Sequence, residues 1–566
     1  TPEYYLRNGG FSTHSTAFSS KYDGLVWQLE NVLMYDKTID KHGFSVILGQ
    51  SAKKTTGSYL WGSRNNINNY DRPYIDASNG LAENGDRDAA GAPTETSTLA
   101  SLFARASYNY DERYMLQVTV RRDGSSRFGV NNHYAVFPSF SLGWNLTNEK
   151  FMQRRPDWLT TTKVRLSWGK NGNENIGNFR YTVLTSAGNN AIFGVSESVI
   201  NGVKASGLAN PDLRWEESEQ LDLGLDFGFF NNALTFTTDY YKKTTNGMLM
   251  TMNIPSYVGE SKPIGNVGKM ENSGLEMEIA YKFNVADWNF RVAGNATYLK
   301  NKLIEYGNDF GWANLDAFQG AGTISRAQNG KPFPYFYGYK TAGIFQNYDE
   351  IQNAALPTGI DRSQLRPGDV RYVDLNSDGK IDENDRTYLG YAFPRYTYGF
   401  TYNVKWKGID FSIMLQGVLK RENPVRGELV QPFHADYSMT MFDHQLDYWS
   451  PQNRDARWPR LGVSGSVSDT NNWGHTGSDM MLLEGAYMRI KNIQLGYTLP
   501  KKWTKKFGCE ALRIYFDTQN PLTWTKNGFV DPETTSFGNN MSGGADNSVR
   551  NYPTLRYFGG GIDLTF

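Results

Sequence analysis

A short acidic stretch, DLNSDGKIDEND at residues 374–385, holds the side chains whose types and spacing could do chemistry. Oxygen-bearing side chains recur along it, and Gly379 at its centre permits a sharp turn. This spacing is typical of a loop that coordinates Ca²⁺, a hard cation that takes about six to eight oxygen ligands. The predicted ligands are the side chains of Asp374, Asn376, Asp378, Asp382 and Asp385 and the carbonyl oxygen of Lys380.

The predicted calcium loop differs in two ways from the helix–loop–helix calcium sites. Its last ligand is Asp385, where those sites have a bidentate Glu, and no amphipathic helix pair flanks it. The alternative is an Asx-rich turn without an ion. If the ion binds, we expect it to brace a long connection over residues 302–393, because a catalytic metal would need an open coordination position and nearby acid or base groups.

The composition indicates which elements hold this loop. The 566 residues include 35 Tyr, 32 Phe, 14 Trp and 57 Gly, which favours strands and turns over helices. Lys plus Arg and Asp plus Glu are equal at 58 each, so no charge excess points to a nucleic-acid partner. A single cysteine, Cys509, excludes an intrachain disulfide framework, and the six histidines show no metal-ligand spacing. No motif predicts an enzyme.

Apolar and polar residues alternate in about fifteen segments of roughly ten residues, the pattern of strands with one apolar and one polar face. In FPSFSLGWNL (137–146), Phe140, Leu142 and Trp144 alternate with serine and glycine. The same alternation recurs in LEMEIAYKF (275–283), YTYGFTYNVKW (396–406) and FGGGIDLTF at the end of the chain. Aromatic residues beside strand ends are candidates for interfacial girdles: Trp144, Tyr240, Tyr298, Trp406 and Phe566.

The connections between these segments alternate in length. Short turns are predicted near residues 36–41, 110–113, 230–232, 284–287, 406–408 and 500–508. Long excursions are predicted over 54–97, 172–214, 247–269, 302–393, 420–485 and 525–553, with DGSSRFGVNN in the remaining long slot. Short turns on one rim and long loops on the other describe an antiparallel outer-membrane β-barrel. Soluble antiparallel sheets also alternate, but their connections need not sort by rim.

The strand count affects whether the barrel can close. With about fifteen antiparallel strands, the first and last run in the same direction and cannot pair antiparallel to close a barrel. The chain begins TPEYYLRNGG, without an initiator methionine or a signal peptide. We therefore expect a processed or clipped piece, with further strands upstream.

Ten strings, in order along essentially the whole chain, resemble the SusC/RagA-type TonB-dependent transporters. They are RRDGSSRFG (121–129), FPSFSLGWNL (137–146), VRLSWGKNGN (164–173), NPDLRWE (210–216), ENSGLEMEI (271–279), GYKTAGIFQ (338–346), PGDVRYVDLNSDGKIDENDR (367–386), YMRIKNIQLGYTLP (487–500), QNPLTW (519–524) and YPTLRYFGGGIDLTF (552–566).

The resemblance implies an all-β transmembrane barrel of about 22 strands in a Gram-negative outer membrane. It also implies an N-terminal plug domain, a SusD-like surface lipoprotein that caps the barrel, and import energised by the inner-membrane TonB complex. Residues 1–566 would be the C-terminal part of the barrel, with the plug and first strands on a remaining portion that must associate with it. The implied substrate is a glycan or an oligopeptide.

Two other functions stay open at this point. A secreted all-β protein that degrades or binds glycans, with a structural calcium loop, would bury its apolar faces in a core. A passive porin or adhesin barrel would have neither plug nor TonB box.

Two further sets of residues have positions that suggest roles. The inward arginines would line the lumen and pair with plug carboxylates: Arg105, Arg121, Arg165 and Arg291. Aromatic residues of the long loops would contact substrate, or else pack loop against loop or against the capping lipoprotein: Trp61, Tyr70, Trp312, Tyr335, Phe336, Tyr337 and Trp473.

Overall fold

The fold is given by a computed structural model, which describes most of the chain. The described residues are 16–65, 75, 87–183, 185–187, 190–195, 198–200, 202–205, 207–252, 254–315, 317–318, 321–323, 325–425, 431–433, 441–463, 465–474, 477–533 and 553–566.

One large antiparallel sheet dominates the described chain. Fifteen strands follow one another in sheet order, and the short strand Thr523–Thr525 pairs beside the thirteenth. In chain order they are β1 Thr16–Ile39, β2 His42–Asn65, β3 Arg87–Tyr110, β4 Tyr114–Ser125, β5 Tyr134–Asn145, β6 Leu159–Asn173, β7 Glu216–Phe229, β8 Leu234–Thr251, β9 Ile264–Val285, β10 Trp288–Glu305, β11 Tyr396–Trp406, β12 Ile409–Leu419, β13 Tyr487–Thr498, β14 Ala511–Gln519 and β15 Tyr557–Thr565.

The two faces of this sheet differ in chemistry, as the alternation predicts. Leu116 pairs with Leu142 and Val118 with Phe140 across β4 and β5, and all four side chains are exposed. The residues between them, such as Gln117, occupy the opposite, polar face. The structure thus places the apolar face outside, as a lipid-facing wall requires. It argues against the secreted alternative, which would bury that face in a core.

The short connections confirm most of the predicted turns. Only Asp40 and Lys41 separate β1 from β2, and only Lys407 and Gly408 separate β11 from β12. The connection from Leu146 to Trp158, on the same rim, was missed; it contains two 3₁₀ turns, Leu146–Asn148 and Lys150–Met152. The β13–β14 connection contains the helix Lys501–Thr504 and the 3₁₀ turn Lys505–Phe507. Within the described residues, no helix is long and apolar enough to cross a membrane.

The described sheet is open. β1 pairs only with β2 and β15 only with β14 in the part of the chain that the structure describes, and an even number of antiparallel steps makes the two edge strands run the same way. Unpaired backbone groups in hydrocarbon are very costly. These fifteen strands therefore form an open wall whose two edge strands each have one partner among the described residues.

The described residues of two long loops, 306–395 and 420–486, pack into one body that we call the loop module. Its main core joins Phe336 from the first loop to Trp458, Trp473 and Leu483 from the second. Tyr339 donates its backbone N–H to the carbonyl of Gly477 at 2.8 Å. A side chain at the neighbouring Gly338 would collide with that carbonyl oxygen, so a glycine is needed there.

The loop module is built from short elements. Its described strands form one four-stranded sheet and four two-stranded sheets. The four-stranded sheet contains Trp312–Asn314, Ser325–Gln328, Tyr335–Tyr339 and Arg386–Gly390. The two-stranded sheets pair Ala317–Phe318 with Ala321–Thr323, Thr341–Ile344 with Val370–Tyr372, Leu356–Pro357 with Lys380–Ile381, and Glu422–Pro424 with Leu482–Glu484. Its helical turns are Tyr348–Asn353, Arg362–Gln364, Glu383–Asp385, Asp443–Leu446, Val467–Asp469, Thr470–Gly474 and Asp479–Met481.

Shorter elements lie in the other long connections. They are the paired strands Thr185–Ala187 and Val203–Ala205, the paired strands Ala191–Phe193 and Ser198–Ile200, and the 3₁₀ turn Ser256–Val258.

Candidate functional site

The predicted calcium loop lies in the loop module, between the short strands Val370–Tyr372 and Arg386–Gly390, and it contains the two-residue strand Lys380–Ile381. Asp374 accepts hydrogen bonds from the backbone N–H of Gly379 at 2.8 Å and of Asp378 at 3.3 Å. Gly379 has φ of 83°, a backbone conformation that favours glycine. The sharp turn predicted at this glycine is therefore present.

The far end of the loop is held by Asp385, which has no exposed surface. Its two carboxylate oxygens accept from the backbone N–H of Leu375 and of Asp382, both at 2.8 Å. Asp382 in turn accepts from Asn384 N–H at 2.8 Å and caps the 3₁₀ turn Glu383–Asp385. Asp385 thus joins both ends of the loop through backbone hydrogen bonds.

The remaining ligand candidates are also engaged locally. Asn376 donates its amide to Asp378 at 2.9 Å, and Asp378 accepts from Lys380 N–H at 2.9 Å. Among the described residues, which include the whole loop, no group of three or more His, Cys, Asp or Glu side chains is arranged to hold a metal ion. The residue types suit Ca²⁺, but in this arrangement backbone amides use several of their oxygens. Calcium binding here stays a prediction.

A second acidic residue, Asp369, fastens the two long loops together. It is fully buried, and its carboxylate accepts from Arg460 Nε at 3.0 Å, Ser468 Oγ at 2.8 Å and Asn472 Nδ2 at 3.2 Å. All three donors lie on the second loop of the module. Sequence reasoning missed this residue, although it stands five positions before Asp374 in the PGDVRYVDLNSDGK string.

The hydrogen bonds continue from Asp369 along the neighbouring strand. The backbone N–H of Val370 donates to Asn472 Oδ1 at 2.8 Å, and Asn471 Nδ2 donates to the carbonyl of Val370 at 2.9 Å. Tyr372 donates its hydroxyl to the carbonyl of Asn471 at 2.7 Å, and burial raises the pKa of this phenol well above its usual range. The strand that leads into the calcium loop is therefore fixed to the opposite loop.

The aromatic residues singled out in the long loops fall into two groups. Phe336 and Trp473 lie in the module core, so they pack loop against loop. Trp312 and Tyr337 instead enclose Arg326, whose guanidinium carbon lies 4.3 Å and 3.5 Å from their ring centroids.

The other aromatic candidates have separate surroundings. Tyr335 donates to Gln328 at 2.6 Å, and burial raises its pKa to about 12. Trp61 stacks with Phe18 at a centroid distance of 5.9 Å on β1 and β2, away from the loop module. Tyr70 lies outside the described residues.

The polar face of the sheet carries arginine–carboxylate networks. Arg165 on β6 pairs with Asp226 on β7 at 2.8 Å and with Asp239 on β8 at 2.9 Å. Arg121 pairs with Asp123 at 2.7 Å on its own strand. Arg165 and Arg121 therefore have carboxylate partners within the wall itself. The pairing of the inward arginines with plug carboxylates stays a prediction.

The other two predicted arginines lie on the same polar face. Arg105 lies opposite Thr119, to which its Nε donates at 3.3 Å. Arg291 lies opposite Lys282 and Asn403 on the flanking strands, and it is exposed.

Two inner-face arginines that sequence reasoning missed have more partners. Arg513 on β14 binds Asp410 through two hydrogen bonds of 2.9 and 2.6 Å and Asp563 at 3.1 Å, joining β12 to β15. Arg489 on β13 pairs with Asp531 at 2.7 Å and Glu533 at 2.9 Å, which ties the start of the last long loop to the wall. The sequence signal that could have identified Arg489 and Arg513 is an arginine at a polar-face position of a predicted strand, the same signal that identified Arg165.

Comparison with known proteins decides the family. Residues 2–374 match the family described as "TonB dependent receptor-like, beta-barrel". The chain belongs to this family. Family members are outer-membrane barrels and transporters, so its apolar face lies in the outer membrane and its long loops on the extracellular side.

The relatives of this chain are of the SusC/RagA type. It is 30% identical to TonB-dependent receptor P3 of Formosa agariphila, over 95% of this chain and 52% of that protein. It is 29% identical to TonB-dependent receptor SusC of Bacteroides thetaiotaomicron, over 83% of this chain and 44% of that protein. The chain thus spans about half the length of the curated relatives that it matches.

Solved structures agree on the fold. The RagAB peptide transporter superposes with a TM-score of 0.79 at 23% identity, covering 98% of this chain and 57% of that one. The same importer in its open-open state covers 99% of this chain with a TM-score of 0.79. The fifteen-strand wall of this chain therefore has the fold of part of that barrel.

Proposed function

We propose that this chain forms the C-terminal barrel wall of a transporter that imports a nutrient across the outer membrane with energy from the TonB complex. The observation that carries the proposal is the two-faced sheet, whose outer face is apolar and whose inner face holds ion-pair networks such as that of Arg165. A polar inner face suits a water-filled passage. The remaining plug and barrel portion would complete the passage.

A SusD-like lipoprotein is the proposed extracellular partner. The loop module supports this, because its buried core and the Asp369 network make two long loops into one rigid body on the extracellular rim. A rigid platform loses little conformational entropy when a partner docks on it. Opening of the lipoprotein would admit substrate, after which displacement of the plug would open the barrel.

The proposed substrate is a glycan or an oligopeptide, and the chain acts as a carrier that does no chemistry on it. The acidic residues of the loop module support a structural role, since Asp369 and Asp385 are buried and fully used in hydrogen bonds within the module. A general acid or base has to reach its substrate.

The test is uptake by cells that produce the complete transporter. Labelled glycan and peptide mixtures are supplied separately, with and without an intact TonB complex, and the accumulated label is measured. TonB-dependent accumulation of either class is expected, and it should disappear when this chain is deleted. Accumulation that persists without TonB would indicate a passive porin and would contradict the proposal.

A further inference from the structure

The outer face of strands β8 to β12 carries a row of large side chains, which lies inside β8, β9 and β10 and at the loop ends of β11 and β12. Tyr240, Leu275, Tyr298 and Tyr396 pair in register across four neighbouring strands, and Leu419 continues the row on β12. All five side chains are exposed, and the rings of Tyr298 and Tyr396 lie 5.2 Å apart. Tyrosines at this level are typical of a membrane–water interface.

A row of lysines lies on the loop side of these tyrosines. Lys242 and Lys300 lie opposite Ser273 on the two flanking strands. Each lysine is two residues beyond the tyrosine of its own strand, Tyr240 or Tyr298, which corresponds to a rise of roughly 7 Å along the strand. Lys302 follows on the same face, opposite Glu271. All three lysines are exposed.

The charges around this row leave a positive excess. Lys242 forms an ion pair with Glu271 at 2.8 Å, while Lys420 adds a further cation 5.6 Å from the ring centre of Tyr396. Lys242, Lys300, Lys302 and Lys420 therefore outnumber Glu271, and the next pair along the described strands, Lys269 opposite Glu305, adds no net charge. The turn ends of the same strands differ, because Lys407 there is balanced by Asp287 at 3.2 Å.

The wall on the membrane side of the tyrosine row is purely uncharged. On β9 the outer-face positions Met277, Ile279 and Tyr281 are exposed, and across the described strands β8 to β12 no outer-face position between the tyrosine row and the turn ends is charged. Lysines above, tyrosines at the boundary and an apolar wall below match the order of groups in a phosphorylated lipid.

We propose that this surface, defined by Lys242, Lys300, Lys302, Tyr298 and Tyr396, binds a phosphorylated lipid of the outer leaflet. The ammonium groups take the phosphate, the tyrosine hydroxyls lie at the level of the headgroup, and the acyl chains follow the wall below. Charge complementarity favours this occupant, because a second copy of the chain would bring the same lysines against each other. The inference rests on the membrane placement that the family gives and is independent of which nutrient is imported.

The experiment uses the complete transporter, purified in a neutral detergent and titrated with a bisphosphorylated diglucosamine lipid or its dephosphorylated counterpart. Native mass spectrometry counts the lipids bound. Replacing all three lysines, Lys242→Gln, Lys300→Gln and Lys302→Gln together, is expected to weaken binding of the phosphorylated lipid by about tenfold or more, because each cation near an anionic headgroup contributes. The triple arginine variant should retain binding, and Lys407→Gln at the opposite rim is the matched control.

Three results would overturn the proposal. One is equal binding of the phosphorylated lipid by the wild type and the glutamine variant. Another is equal binding of the two lipids by the wild type, which would indicate apolar contact alone. The third is a wild-type dimer without bound lipid that the glutamine variant lacks, which would identify a second copy as the occupant.

Discussion

Asp369 and Arg460 form an ion pair of 3.0 Å although 91 residues separate them in the chain. The carboxylate has no exposed surface, whereas the arginine side chain is 29% exposed. Each residue belongs to a different long loop, so the pair and its hydrogen-bonded neighbours hold the two loops of the module together.

Removing this carboxylate should loosen the loop module. Asp369→Ala leaves Arg460, Ser468 and Asn472 without their shared acceptor, and we expect a loss of about 2–4 kcal/mol in the local stability of the module, somewhat less than for a fully buried pair. Hydrogen exchange of residues 465–474 measures it. Asp361→Ala removes an exposed acid that caps a short turn of the same module, and its effect on exchange should be much smaller. Equal exchange in the two variants would contradict the role assigned to Asp369.

The Arg165 network should contribute to the stability of the barrel wall. Arg165→Met leaves Asp226 and Asp239 facing each other without a cation. Because the arginine is about one-third exposed, we expect a loss on the order of 1–2 kcal/mol in the free energy of unfolding. Urea unfolding in lipid vesicles measures it. Arg105→Met is the control, because Arg105 hydrogen-bonds to Thr119 and its removal leaves no carboxylate without a partner. An equal decrease in the free energy of unfolding in both variants would argue against a specific role for Arg165.

Calcium should stabilise the loop at residues 374–385 if the predicted site is real. We expect Ca²⁺ to raise the midpoint of thermal unfolding of the loop module and a chelator to reverse the change. The double variant Asp374→Asn and Asp378→Asn should lose this response while it keeps acceptors for the backbone N–H groups of the turn. An identical midpoint with calcium and with chelator would show that the loop is an Asx-rich turn without an ion.

Glu422 should make the junction of the two long loops sensitive to pH. Its carboxylate accepts from Tyr391 N–H at 2.7 Å, and burial raises its pKa above the ordinary value of 4.5 despite that hydrogen bond. For an acid whose pKa is raised on folding, stability is greatest below the unfolded pKa and falls as the pH rises from the unfolded to the folded value. Exchange of the Tyr391 amide should therefore show increasing local opening above pH 4.5, after correction for intrinsic exchange. Glu422→Gln should abolish this trend, and a trend that persists would assign it to another group.

The sequence predicts the barrel wall well because a lipid-facing strand needs apolar residues at every second position. This alternation can be recognised within a short segment of the sequence. The segments predicted around Phe140 and Leu275 are strands. Of the predicted girdle residues, Trp144 and Phe566 lie exposed beside strand ends as expected, whereas Trp406 is half-buried at the end of β11. Tyr240 and Tyr298 are exposed, but they lie inside β8 and β10, which are longer than predicted. Strand length was underestimated. β2 and β3 each have 24 residues and extend into the predicted excursion over 54–97, since pairing continues above the membrane where alternation is no longer required.

The loop module was much harder to predict. The turn at Gly379 could be located because its oxygen ligands and glycine are local in sequence, but the partners of Asp369 come from a different loop. No periodic pattern links residues so far apart. For the same reason the sequence did not identify Asp226 and Asp239, on neighbouring strands, as partners of Arg165.

The two-faced wall is the central claim, and cysteine labelling in cells tests it most directly. Val118 and Thr119 are adjacent on β4, with Val118 on the apolar face and Thr119 on the polar face. Val118→Cys and Thr119→Cys are each treated with a lipid-soluble and with a water-soluble maleimide; the wild type, whose single cysteine Cys509 is buried, is the blank. We predict that the lipid-soluble reagent labels Val118→Cys and leaves Thr119→Cys unlabelled. Equal labelling of both positions by the water-soluble reagent would contradict a membrane-embedded wall.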